Sequence, residues 1–141
     1  VASYTKFNPF VEDLAKKVHN MNSDTLKIML TNTAPVATNA VKADITEISA
    51  GNGYTAGGNQ AVFSSGAQSS GTYKLVVADV TFTASGGSIG PFRYAVLYND
   101  TPASPLKPLI AYWDYGTSIT LTNGNSFTVD LDQVNGLFTL A

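Results

Sequence analysis

The spacing of apolar positions changes once along the chain, near residue 25. Before that point Phe10, Leu14 and Val18 recur at i, i+4 and i+8 with Val11 beside them, giving one apolar helical face. Asn8 can cap the N-terminus, and Pro9 suits the first helical position, where its missing N–H costs nothing. Glu12 and Asp13 come early and Lys16, Lys17 and His19 late, an order that complements the helix dipole. The pattern predicts one short helix over residues 9–19, ended by Asn20 and Asn22. From residue 25 onward the apolar residues alternate, which is the period of a strand. Leu26, Ile28 and Leu30 share a face in 25–31, as do Val80, Phe82 and Ala84 in 80–84. Further strands are predicted at 60–63, 73–78, 92–98, 109–115, 119–121, 127–131 and 137–140. Segment 109–115 is apolar on both faces, so it is central or covered, and Gly116 closes it. Asn123-Gly124 between alternating runs predicts a hairpin joining 119–121 to 127–131. The stretches 32–43, 51–58 and 64–71 read as loops and 44–48 as one helical turn. The expected fold is mainly β, an antiparallel β-sandwich, jelly-roll-like, with one short N-terminal helix.

Composition narrows the setting. A chain of 141 residues suits a single β-rich domain, and the absence of Cys rules out disulfides and thiolate metal sites. Charged residues make up 13%, against about 25% in ordinary domains. Residues 1–50 hold five Lys and five acids, whereas 51–141 hold three basic and five acidic residues. Thr, Ser, Asn and Gly must supply the polar surface of that second part. Such a surface fits a chain covered by neighbours in an assembly, or an extracellular β-sandwich. The net charge of −2 offers no footprint for nucleic acid or anionic lipid. No apolar run approaches the ~20 residues of a membrane span, and Val1–Lys6 lacks the apolar stretch of a signal peptide.

Few residues nominate chemistry. Gly86-Gly87-Ser88-Ile89-Gly90 matches the hydrolase pattern G-x-S-x-G, which needs a strand-to-helix elbow and a histidine further along the chain. Here Pro91 and a strand follow, and the single histidine, His19, lies upstream, so the motif reads as a turn. His19 alone builds no metal site and reads as a surface cap on the helix C-terminus. Asp130 and Asp132 share a strand face but supply too few oxygens for Ca²⁺, so they read as solvated strand ends. Gly51–Gly58 lacks the Gly-Lys-Ser/Thr of a phosphate loop and reads as a tight protruding loop. Asn99-Asp100-Thr101 is a formal glycosylation sequon that reads as a turn. No catalytic residue, cofactor or metal is expected, and the chain reads as a non-enzyme. Tyr94, Tyr98, Tyr112, Trp113 and Tyr115 lie on two nearby strands and form either a sugar-stacking platform or core and interface, the second being favoured. The nearly all-apolar end, Gly136–Ala141, is a paired strand or a contact surface.

Several segments together resemble a family of small virion structural proteins of tailed bacteriophages. They are Tyr4–Asn8, Phe10–Ala15, Ser23–Lys27, Met29–Pro35, Ala50–Tyr54, Val80–Ala84 and Phe92–Tyr98. Within that family, length and β content are similar to the capsid cement, or decoration, proteins of short-tailed phages. The resemblance implies a jelly-roll-like fold and a homodimer seated on the outer capsid surface of the virion, where it clamps neighbouring major capsid proteins. The partners implied are the major capsid protein and a second copy of this chain, with no nucleic acid and no membrane. Glycine loops and uncharged termini mark the expected contact regions: Val1–Phe10, Gly51–Gly58 and the C-terminal strand. Within them Tyr4, Phe7, Phe10, Gly53, Tyr54, Leu137, Phe138 and Leu140 are the interface candidates. The alternative is a carbohydrate- or receptor-binding β-sandwich of a phage tail or fibre that uses the five aromatics.

Overall fold

The computed structural model describes residues 2–141. Strand β1 (Thr5–Lys6) leads into helix α1 (Asn8–Ala15), which is shorter than the 9–19 predicted from apolar spacing. Phe7, extended, takes the N-cap position, and Asn8 begins the helix without a side-chain cap bond. Glu12 and Asp13 therefore fall beyond the first turn, and no basic residue lies in the last. The helix stops because Lys17 turns left-handed, with φ 66°. Its N–H reaches the Leu14 carbonyl at 3.2 Å and that of Val18 reaches Asp13 at 2.9 Å, a Schellman-type ending that satisfies the last carbonyls.

The strands that follow are β2 (Leu26–Thr31), β3 (Asn59–Ala61), β4 (Phe63–Ser69), β5 (Thr72–Val77), β6 (Val80–Thr83), β7 (Ile89–Asn99), β8 (Leu109–Leu121), β9 (Ser126–Val129) and β10 (Phe138–Leu140). A 3-10 turn spans Lys42–Asp44, just before the 44–48 segment where one was expected. Every pairing is antiparallel, in a five-stranded sheet β1-β8-β7-β2-β3, a three-stranded sheet β10-β5-β4 and the pair β6-β9. None of these sheets closes into a barrel.

Both faces of the five-stranded sheet are covered. Leu26, Ile28, Leu30, Ala95, Leu97, Ala111 and Trp113 share one apolar cluster with Leu75 and Val77 of β5, Val80 and Phe82 of β6, and Val129 of β9. On the other face Met29, Val96, Tyr98 and Leu109 pack with Phe7 and Ile45. Double coverage explains why the middle strands read as nearly continuous apolar runs. Each such Leu or Ile removed from water contributes roughly 1.5–3 kcal/mol.

Three strand readings change. The stretch 64–71 is not a loop. Phe63–Ser69 forms β4, and Ser70 and Gly71, with φ 50° and 81°, make the tight hairpin to β5. The 60–63 strand accordingly splits into β3 and the start of β4. Gly116 does not close its strand, and 119–121 is not separate, because β8 runs unbroken to Leu121. Between Tyr94↔Asp114 and Phe92↔Ile119 the register shifts, so β8 carries the surplus residues as a bulge at Gly116, φ 83°. Asn123-Gly124 is not a hairpin. The hairpin turn needs positive φ at both central residues, and only Gly124 has it. The chain instead crosses from β8 to β9, which is shorter than the predicted 127–131 and pairs with β6.

Candidate interaction surfaces

The Gly51–Gly58 loop is exposed at its tip but is held down along its length. Asn52 and Gly53 both have positive φ (55° and 97°), and Gly51 and Tyr54 exchange backbone bonds of 2.8 and 3.0 Å, so this is the tight Asn-Gly turn of the chain. Its tip rests on the 83–88 segment. The Ser85 N–H donates to the Asn52 carbonyl at 2.9 Å, and Asn52 Nδ2 donates to the Ser88 carbonyl at 3.0 Å. Tyr54 is buried, its ring 5.7 Å from that of Phe82. Its hydroxyl accepts the Leu30 N–H at 3.0 Å and donates to Glu47 Oε1 at 2.7 Å. The Leu30 carbonyl is taken by the Ile48 N–H at 3.1 Å. β3 pairs only with Leu26–Ile28, so loop residues finish the edge of β2 where β3 stops.

Glu47 ties this loop to the sheet. Besides Tyr54 it accepts the Gly57 N–H at 2.5 Å on Oε1 and the Lys42 ammonium at 2.7 Å on Oε2. Burial works to raise its pKa, but the Lys42 ammonium, the Tyr54 hydroxyl and the Gly57 N–H together hold the carboxyl below its ordinary range. The Tyr98 hydroxyl closes the network on the Gly57 carbonyl at 2.5 Å. Burial raises both tyrosine hydroxyls well above the usual phenol value.

His19 is buried and is not a surface cap. Because α1 ends early, the chain folds His19 back against Phe10, their rings 5.3 Å apart. Asn99, also fully buried, lies 3.0 Å from Nδ1 through its amide nitrogen, which also donates to Asp24 Oδ2 at 2.7 Å. An amide nitrogen can only donate, so Nδ1 accepts and the neutral ring carries its proton on Nε2, which has no partner. Burial pushes the His19 pKa down to about 4, against a smaller upward pull from Asp24. The sequon asparagine, Asn99, is therefore an internal joint between β7 and the 19–24 segment. Beside it lies a groove of about 460 Å³ whose walls include Leu14, Met21, Asn22, Tyr73, Phe138 and Leu140.

The other expected contact residues fall into two groups. Phe7, Phe10, Tyr54 and Leu137 are buried in this chain's own core, so their side chains do not form its surface. Large apolar side chains inside a β domain gain more by filling its core than by waiting at its rim. Tyr4 is half-buried with its ring edge-on to Trp113 at 5.8 Å, and burial pushes its hydroxyl up to about 12. Phe138 is half-buried, while Gly53 and Leu140 are exposed. Val1 lies outside the described residues. The C-terminal strand is paired within the chain, as β10 on β5.

The five aromatics offer little stacking surface. Tyr94, Tyr98 and Trp113 are buried, and Tyr112 and Tyr115 are half-buried. Ser88 leads directly into β7, not into a helix. Asp130 and Asp132 lie beyond β9 and cap local backbone: Asp132 accepts the Asn135 N–H at 2.8 Å and Asp130 that of Asp132 at 2.9 Å. Among the described residues no group of three His, Asp or Glu could hold a metal ion, and no helix is long and apolar enough to cross a membrane.

The surface that sequence reasoning missed is the β4–β5 hairpin. Six of the seven β4 residues are exposed and Gly66 is intermediate, so the strand is open on both faces. It is also the outermost strand of its sheet. Residues 48–73 contain no Asp, Glu, Lys or Arg, and exposed Val62 and Phe63 stand at the base of β4. The signal was present as Ser70-Gly71 flanked by residues able to form strands, but Ser-rich β4 lacks the apolar alternation that marks a half-buried strand.

Compared with known protein families, curated proteins and solved structures, the chain has no match in any of the three.

Proposed function

We propose that this chain is a non-enzymatic structural component of a phage virion. It would seat on the outer capsid surface, as a homodimer, and clamp neighbouring major capsid proteins in the manner of a cement protein. The observation that carries the reading is the continuous charge-free stretch 48–73, which includes an edge strand exposed on both faces. An uncharged surface is readily covered, because no ion must be desolvated on contact. The segments that resemble virion structural proteins support the same reading, and the sheets around a common core are compatible with a jelly-roll-like sandwich. The mechanism is linkage: a protein that binds only the assembled shell stabilises that shell by its binding free energy. The carbohydrate-binding alternative draws less support, since it needs an exposed aromatic face and leaves only half-buried Tyr112 and Tyr115 to provide one.

Purified virions provide the test. Quantitative mass spectrometry should find this chain at a copy number near that of the major capsid protein, and a few copies per particle would overturn the capsid assignment. Deleting residues 137–141 is a poor probe of docking, because it removes buried Leu137 and the strand paired with β5.

A further inference from the structure

We propose that β4 is the surface through which two copies of this chain pair, edge to edge and antiparallel across a twofold axis. This deepens the assembly reading above and rests on it. In the two-residue hairpin Ser69 and Thr72 form the pair nearest the turn, so backbone bonds to β5 alternate from there. That alternation leaves the backbone N–H and C=O of Gln68 and Gly66 pointing away from β5 and towards solvent. The Gly66 carbonyl bears out the direction, since it accepts Asn22 Nδ2 at 3.1 Å from outside the sheet.

Such an edge is a template for another strand unless charge, proline or a covering segment blocks it. β4 contains neither a charge nor a proline, and Asn22 is the side chain that bonds to its outer rim. The other edges are less open. β6 and β9, the two edges of the remaining pair, have four residues each and bury Val80, Phe82 and Val129. β1 has two residues, one of them Lys6. β3 has three, and its Asn59 side chain bonds across to the Thr81 carbonyl at 2.9 Å. β10 also has three residues.

The occupant is a second copy for reasons of charge and symmetry. Twofold pairing sets a surface against itself, so any charge near the axis would meet its like. The charge-free run 48–73 removes that penalty along all of β4, and Lys74, which pairs with Ala67 on β5, donates its ammonium to the Val134 carbonyl at 3.1 Å. With Gly66 of one copy opposite Gln68 of the other, Ala67 lies on the axis facing Ala67. The pairing displaces the Asn22 amide from Gly66 and replaces that one bond with a backbone ladder.

Sedimentation equilibrium on the full chain tests this. The wild type should run at twice 14.8 kDa. Gln68→Pro removes an outward N–H, together with a side-chain bond to the Gly71 N–H in the turn. Ala67→Lys leaves the turn untouched and sets two ammonium groups together at the axis. Each should weaken the dimer at least ~10-fold while circular dichroism stays unchanged. The chain has no cysteine, so Ala67→Cys should oxidise to a disulfide-linked dimer, and Thr128→Cys on β9 should not. A monomeric wild type, or Ala67→Cys crosslinking no faster than Thr128→Cys, overturns the proposal. A β4-paired dimer that is scarce on virions would sink the capsid reading and leave the pairing intact. An abundant virion protein that is monomeric in solution would do the reverse.

Discussion

Two glycine-rich stretches, 51–58 and 64–71, look alike in sequence and do different work in the fold. Each contains a tight turn with two successive positive φ values, at Asn52-Gly53 and at Ser70-Gly71. The first is wedged between β2 and the 83–88 segment. A Cβ on Gly58 would sit 1.8 Å from the Ile28 carbonyl oxygen, and one on Gly53 would sit 2.2 Å from that of Thr83. The second is looser: a Cβ on Gly71 would meet nothing within 4 Å, and one on Gly66 would meet side-chain ends rather than backbone, Asn22 Oδ1 at 2.3 Å and the Tyr73 hydroxyl at 2.4 Å. The difference comes from one tyrosine and one glutamate. Tyr54 and Glu47 give the first stretch buried anchors, whereas 64–71 has no large apolar residue and no ion pair to draw it inward. Glycine in the pinned loop serves close approach to backbone, while in the hairpin Gly71 serves the turn and Gly66 leaves room for the Asn22 and Tyr73 side chains.

The sharpest way to break the comparison is to add one methyl group to each loop. Gly58→Ala drives carbon into the backbone of β2 at a left-handed position, φ 77°, where neither partner can yield. We expect a loss on the order of 4 kcal/mol or failure to fold, read by urea denaturation. A loss below about 1 kcal/mol would mean that the loop is not seated on β2.

Tyr54→Phe keeps the ring against Phe82 and removes the hydroxyl that bridges the Leu30 N–H and Glu47. It leaves a buried donor unpaired, which costs about 1–3 kcal/mol. The same denaturation measurement checks it, with an unchanged near-ultraviolet spectrum showing that the core persists.

Acid should act on the anchor and spare the hairpin. Glu47 is held below its ordinary pKa in the fold, so it binds its proton more readily when unfolded. Its contribution is complete above the unfolded value of about 4.3 and is lost as pH falls through the lowered folded value. His19 titrates on its own account. With its pKa pushed down to about 4 from an unfolded value near 6.5, stability falls between those two values as the unfolded chain takes up the proton first. The difference between wild type and Glu47→Gln isolates the glutamate. It should be about 1 kcal/mol at neutral pH and shrink towards zero below about pH 4. A pH-independent difference would remove the ionised carboxylate from the account. His19 is the single histidine, so one proton resonance should report a midpoint near 4.

What can be read from sequence follows from how each signal arises. The apolar alternation of 25–31 and 80–84 is imposed by burial itself, so Leu26, Ile28, Leu30, Val80, Phe82 and Ala84 are all buried as expected. Signals that depend on a partner far along the chain are hidden. Nothing local to Asn123-Gly124 says that its following strand will pair with β6, and nothing local to Lys17 says that the helix stops there. His19 reads as a surface cap because Asn99, its partner in the fold, is eighty residues away. Apolar residues in glycine loops and uncharged termini, the basis for the contact candidates, include core residues such as Phe10 and Tyr54. β4 carries the opposite signature. An exposed strand has no burial to impose a pattern on it, so its composition matches that of a loop.

The most local expected effect tests that last point. Gly71→Ala places a side chain in open space at φ 81°, so its cost is the intrinsic one of a left-handed alanine, about 1–2 kcal/mol at most. The cost falls on the hairpin alone if β4 opens independently of the core. β4 contributes no residue to the main apolar cluster, whereas Leu75 and Val77 of β5 belong to it. The chain can therefore lose the turn and keep the layer. Amide hydrogen exchange separates the two cases. In Gly71→Ala, protection should fall at Ala67 and Ser69, which bond to β5, and remain unchanged at Leu30 and Leu97. Equal loss at all four would mean that the hairpin and core unfold together, and the contrast between the pinned loop and the free hairpin would then collapse.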